Sequence, residues 1–217
     1  MTSVGGGGGM DAGTTTSSTT QQTSSGAAAC ALGHVVISQI RSRGAGGGSD
    51  EFVELFNATG AAVTLDDGWS LAIRGTSDAT YRSHWTGSGK SVPAWGHFLV
   101  AGTGYAEMPV ADAALSSGIV DAASVRLVQG GKVVDAVCYG FDATTLGAFD
   151  ATFTCAGTPA SNLPHDDTAS AKSDVDTSLS RKPGGAAGNC TDTGDSAADF
   201  VAESPAAPRA STSPPTP

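Results

Sequence analysis

Between His34 and Tyr139 apolar side chains recur at every second position, a period that fits pleated strands and not helices. His34 to Arg41 (HVVISQIR) puts Val35, Ile37 and Gln39 on one face and Val36, Ser38 and Ile40 on the other. Glu51 to Asn57 (EFVELFN) alternates again, with Phe52, Glu54 and Phe56 set against Val53 and Leu55. Further runs follow at Val63 to Leu65, Trp69 to Ile73, Arg82 to Thr86 and Ser91 to Ala101, where Pro93 marks a strand start or an edge. Ser124 to Val128 and Lys132 to Cys138 are joined through Gln129-Gly130-Gly131, because adjacent glycines accept the positive φ values of a tight hairpin. Leu179 to Arg181 and Phe200 to Ala202 are the last candidate strands, and Met108 to Leu115 is the one short segment with a helical pattern. Short strands at even spacing, with no long internal repeat, predict an all-β sandwich or barrel rather than a propeller or solenoid.

The two ends differ. Residues 1–29 are almost wholly Gly, Thr, Ser, Gln and Ala, which bury little and cost entropy to order. They are expected to form a disordered low-complexity tether. Residues 204–217 (SPAAPRASTSPPTP) are expected to be a disordered, extended Pro-rich tail, and removing 1–29 and 206–217 is expected to leave thermal stability nearly unchanged. That leaves 30–203 as the folded unit. With 39% hydrophobic and 6% aromatic residues over the chain, a core closes only if the ends stay outside it.

Eleven basic residues face 21 acidic ones, a net charge of −10, and no run of Lys or Arg exists. Neutralising phosphates needs such a stripe, so nucleic acid and anionic membrane surfaces are excluded as partners. Cys30, Cys138, Cys155 and Cys190 have no C-x-x-C spacing, which disfavours zinc. An even number of separated cysteines in an acidic, Ser/Thr/Gly-rich chain points to two disulfides and an oxidising compartment, secreted or cell-envelope. Of the three possible pairings, position favours Cys138 with Cys155, on the loop after its strand, and Cys30 with Cys190, flanking the first and last strands. Residues 1–25 carry no recognisable leader, and no run approaches a transmembrane span of ~20 apolar residues. Glycines followed by a Thr/Ser/Gln tract resemble what trails the anchored cysteine of bacterial lipoproteins, so lipid anchoring would need a start upstream.

The order of fragments resembles the lamin-tail domain family, an immunoglobulin-like β-sandwich. VVISQI is followed by GAGGGSDEFVELFN, then VTLDDGWSL, then VPAWGHFLVAG from Val92 to Gly102. The closing element is SLSRKPGGAAGNCTDTGDSAADF, from Ser178 to Phe200. Together these cover most of residues 34–203. The chain departs from the pattern at Asp66-Asp67, one residue longer before Gly68-Trp69, and in the extended stretch from Ala143 to Asp176. The motif positions implied by the resemblance are Glu54, Asn57, Gly68, Arg181, Asp192, Asp199 and Phe200. The expected core includes Phe52, Val53, Leu55, Trp69 and Leu71. Glu54 is expected to face outward or pair across the sheet, Asn57 to cap a turn, and Arg181 to bond the aspartates of 192–199.

Catalytic and metal patterns fare poorly. Gly89-Lys90-Ser91 lacks the earlier glycine and the following helix of a phosphate loop. His34, His84, His97 and His165 lie in separate segments with no nucleophile elbow beside them. The acidic groups His165-Asp166-Asp167 with Asp174 and Asp176, and Asp192 with Asp195 and Asp199, lack calcium-loop spacing. Asn57-Ala58-Thr59 and Asn189-Cys190-Thr191 fit the N-glycosylation pattern by chance. No catalytic residue, cofactor or metal is therefore expected. The reading is a non-catalytic extracellular or envelope binding and display module, with a protein or surface polymer as partner. A small secreted hydrolase or calcium-dependent accessory domain, and a structural spacer, are the alternatives.

Overall fold

The structure, a computed structural model, describes residues 1–3, 5–6, 30, 32–162 and 175–216. The tether expected over residues 1–29 and the group His165, Asp166, Asp167 and Asp174 lie largely or wholly outside the described residues. The fold is all-β. In chain order the strands are β1 (Val35–Arg41), β2 (Phe52–Asn57), β3 (Val63–Leu65), β4 (Trp69–Gly75), β5 (Arg82–Thr86), β6 (Lys90–Val92) and β7 (His97–Ala101). There follow β8 (Ala113–Ala114), β9 (Ala123–Gln129), β10 (Lys132–Gly140), β11 (Ala160–Ser161), β12 (Ser178–Arg181) and β13 (Phe200–Glu203). Two single-turn helices, α1 (Ala143–Leu146) and α2 (Ser196–Asp199), sit in connections.

Three sheets result. Six strands run β13-β12-β1-β2-β7-β8, five run β11-β10-β9-β4-β5, and β3 pairs with β6 in a small ribbon. The inner faces of the two large sheets supply one core. Val35, Ile37, Ile40, Val53, Leu55, Phe98 and Leu179 come from the first sheet, and Trp69, Leu71, Ile73, Val125, Leu127, Val137 and Tyr139 from the second. Trp69 lies between the sheets with Leu71 and Ile73 on its face, and the alternation of β4 is unbroken. The β9–β10 hairpin turns through Gly130 and Gly131 at φ 57° and 78°, so Gln129 and Lys132 pair directly. Asn57 accepts the Thr59 N–H at 3.2 Å and closes its turn as expected.

Several expectations are corrected. β1 shifts register between Ile37 and Gln39, so Ser38 is the extra residue of a bulge. Ile40 therefore rejoins Val35 and Ile37 in the core instead of facing away. Ser91 to Ala101 is two strands, separated by the turn in which Gly96 N–H meets the Pro93 carbonyl. Met108 to Leu115 is not helical; within it Ala113–Ala114 pairs in parallel with β7.

The outer face of the six-stranded sheet is also covered, which simple alternation does not reveal. Every residue of β1, β2 and β7 is buried. Phe56 and Val36 pack with Cys30 and Ala58, with Leu32 and Trp95 at their edge. Phe52, Leu99 and Ala101 pack against Ala210, with Ala206 beside it. Residues 204–216 are thus no free linker but a strap laid across the sheet, because Ala210 and the Arg209 head find a ready-made apolar and acidic surface.

Cys30 is bonded to Cys190 and Cys138 to Cys155, with Cα separations of 5.3 and 5.2 Å. Loop-closure entropy gives about 5 kcal/mol for the bridge spanning 160 residues and about 3 kcal/mol for that spanning 17. Urea denaturation of the two paired Cys→Ala variants should rank them in that order. In the same assay Trp69→Ala should cost about 3–5 kcal/mol, since the cavity lies between two sheets that cannot both close on it.

Candidate functional site

Four loops meet at one end of the sandwich, those after β1, β4 and β10 and that before β9, around an open cavity of about 390 Å³. Its polar lining is Ser42, Arg43, Thr76, Ser77, Asp121 and Thr145. Ser42 Oγ donates to Asp121 Oδ1 at 3.1 Å and accepts from Asn162 Nδ2 at 3.1 Å. Arg43 Nε stands 3.7 Å from Asp121 Oδ2. The cleft is therefore lined by hydroxyls, with Arg43, Asp121 and Ser42 held to one another in its wall.

Glu51, 3% exposed, lines a separate recess with Gly102, Leu115 and Gly118, and its Oε2 accepts the N–H of Ile119, a residue of the cleft. Burial pushes its carboxyl up to about 7; Asp121 adds to the rise, while the Ile119 N–H and Arg43 oppose it. Glycine is needed on both sides, since a Cβ on Gly102 would stand 2.7 Å from Glu51 Cγ, and one on Gly118 would stand 2.7 Å from Oε1. Composition and spacing hold no signal for this cleft. Its loops are joined only when the sheets stack.

The motif positions carry structure. Glu54 points away from the core and bonds across the sheet, yet it is wholly buried under the strap, taking hydrogen bonds from Ser38 Oγ on β1 at 2.7 Å and from the Arg209 N–H. Its Oε1 also lies 2.9 Å from His97 Nδ1. Arg181 bonds Asp135, on the opposite sheet, at 2.7 Å, whereas Asp192 and Asp199 each stand 3.9 Å away. Asp135 was not legible as its partner. Asp199 instead accepts the Thr193 N–H at 2.9 Å, and the Arg181 guanidinium lies 4.7 Å over the Phe200 ring. Gly68 N–H meets Asp66 Oδ1 at 3.1 Å in the turn before Trp69.

His97 Nε2 is 2.9 Å from Thr216 Oγ1, so Thr216, His97 and Glu54 form a hydroxyl–imidazole–carboxylate series. The imidazole is fully buried and stacked on Phe56, and Arg209 donates to the same hydroxyl at 3.2 Å. A hydroxyl held by a guanidinium, on a strap rather than a rigid element, is a latch and a poor nucleophile. His84 Nδ1 is 3.0 Å from the Ser117 carbonyl. Among the described residues no group of three or more His, Cys, Asp or Glu side chains could hold a metal ion. Asp195 caps α2, its carboxyl lowered by the Thr158 and Ala198 N–H groups, and Asp176 bonds Arg41 at 3.1 Å. The Asn57 and Asn189 amides are buried donors to backbone carbonyls, closed to modification. Among the described residues no helix is long and apolar enough to cross a membrane.

No protein-family model matches the chain, and no curated protein matches it.

Glu51 gives the recess beside the cleft a pH signature. Its folded pKa of about 7 exceeds the ordinary 4.5, so its contribution to stability is full below about pH 4.5 and is lost as pH rises through about 7. Melting temperature should therefore fall between about pH 5 and pH 8 in the native chain. In Glu51→Gln that fall should shrink, because the amide still accepts from Ile119 without ionising.

Proposed function

We propose that the chain is a non-catalytic binding or display module of lamin-tail type. It acts in the extracellular space or the cell envelope and offers its loop-end cleft to a protein or surface polymer. The observation that carries this reading is the cleft itself. Its hydroxyls, Arg43 and Asp121 are set by four loops on a rigid sandwich, a common arrangement for recognition sites. Its polar groups suit hydrogen bonding to a hydroxyl- or amide-rich ligand.

The lamin-tail resemblance is supported by how its motif residues are used. Asn57 closes a turn, Trp69 fills the core, and Arg181 over Phe200 ties β12 to β13. An extracellular or envelope location is supported by the two disulfides, the covalent state of an oxidising compartment. Arg41 is buried with Asp50, Glu107 and Asp176, and Arg126 lies against the Tyr81 ring. Neither is free to build a phosphate-binding stripe, which favours a protein or polymer over nucleic acid.

The test is an array of glycans, envelope polymers and envelope proteins probed with the native chain and with Arg43→Ala and Thr76→Ala. Binding that falls at least ~tenfold in both variants is the expected result. In parallel, esters, phosphates, nucleic acids and glycosides should remain unhydrolysed, with or without calcium. Turnover that disappears in His97→Gln or Thr216→Ala would overturn the non-catalytic reading.

A further inference from the structure

The strap is held at several points along its length. Three carboxylates from separate parts of the body accept backbone N–H groups along it. Asp176 takes that of Ala206 at 3.2 Å, Glu54 that of Arg209 at 2.5 Å, and Asp112 that of Ser211 at 2.9 Å. Between the last two, Ala210 is fully buried against Phe52, Leu99 and Ala101. The Arg209 guanidinium lies 3.4 Å from Glu54 and donates to the Gly185 carbonyl at 2.9 Å and to Asn189 Oδ1. At the far end Thr216 N–H meets the Trp95 carbonyl at 2.9 Å.

Two features follow. The groups that recognise the strap all belong to residues 52–189, and both disulfides join residues outside it. Their specificity is for a peptide with spaced N–H donors, one arginine and then one small residue that opens a turn. The groove also cannot stay empty at low cost: Glu54 is wholly buried, and without the strap it would lose the Arg209 N–H and the adjacent cation. A vacated groove must refill, and a second copy of the chain carries an identical segment.

We propose that the outer face of the six-stranded sheet is a peptide-binding groove, which takes residues 204–216 of a second copy in place of its own. The Arg209–Glu54 contact and the Ala210 pocket form equally well between chains, so strap exchange creates a paired assembly without new surface. This site is on the sheet face, away from the loop-end cleft, and stands or falls independently of the proposed ligand there.

The test uses two full-length variants. Arg209→Ala keeps the groove and weakens the strap, while Glu54→Gln keeps the strap and weakens the groove. Each alone should be monomeric by light scattering; their mixture should show a species of doubled mass. Should Glu54→Gln not fold, Asp112→Asn serves as the groove variant. A labelled peptide of residues 204–216 should also bind the Arg209→Ala chain, and the same peptide with Ala at the arginine position should bind at least ~tenfold more weakly. A mixture that remains two monomers overturns the proposal. Peptide binding without association of the full chains overturns the second copy as occupant and points instead to an unrelated peptide of that chemistry. Equal binding of the two peptides overturns the recognition by Glu54.

Discussion

The ion pair between Arg181 on β12 and Asp135 on β10 joins the two sheets at the place where regular pairing fails. The bulge at Ser38 interrupts the β1 ladder, and the backbone of Ile37 turns to these two side chains. Its N–H donates to Asp135 Oδ2 at 2.7 Å, and its carbonyl accepts from Arg181 Nε at 2.8 Å. Asp135 sits just beyond a second irregularity, between Val133 and itself. Burial raises its carboxyl above the ordinary range, and Arg181 with the Ile37 and Ala136 N–H groups draws it back. Breaking one side of such a pair typically costs about 3–5 kcal/mol, since a bare charge is left inside. The bulge, the inter-sheet spacing and the return of Ile40 to the core all depend on this arrangement.

A similar logic governs the opposite face of the sheet. Glu54 lies on β2 between two core residues, Val53 and Leu55, and so must point away from the core. Something has to cover it, because a carboxylate at zero exposure needs donors. Ser38, exposed to it by the bulge, supplies one, His97 on β7 lies within hydrogen-bond distance, and the strap adds the Arg209 N–H. The bulge therefore serves both faces: Ile37 bonds the opposite sheet while Ser38 bonds the buried acid. The molecule is a sandwich with a partial third layer, in which a Pro-rich segment behaves as a bound peptide.

The loop-end cleft has a different origin. Its residues are neither apolar nor paired in sequence, and they meet because four strand ends lie side by side. Glu51 could be read from the chain only as a charged residue at the start of a strand. Its burial, and the protonation near neutrality that follows, come from the loop before β9 folding over it with Gly102 and Gly118 as close neighbours.

Alternation, the Gly130-Gly131 turn, the Asn57 turn and the apolar positions Val53, Leu55, Trp69 and Leu71 were legible from the chain alone. Each rests on interactions within a strand or between neighbours, where residue type and spacing carry the physics. The two disulfides were legible by position, since each pair flanks elements that a sandwich brings together. Other features were decided by contacts at long separation: the Ser38 bulge that returns Ile40 to the core, the Asp135 partner of Arg181, the burial of Glu54, and the docking of residues 204–216. A Pro-rich segment without an apolar stripe looks like a linker until the surface it covers exists. Here that surface is a sheet face, built from strands far away in sequence, with a buried carboxylate that requires an N–H donor and a cation.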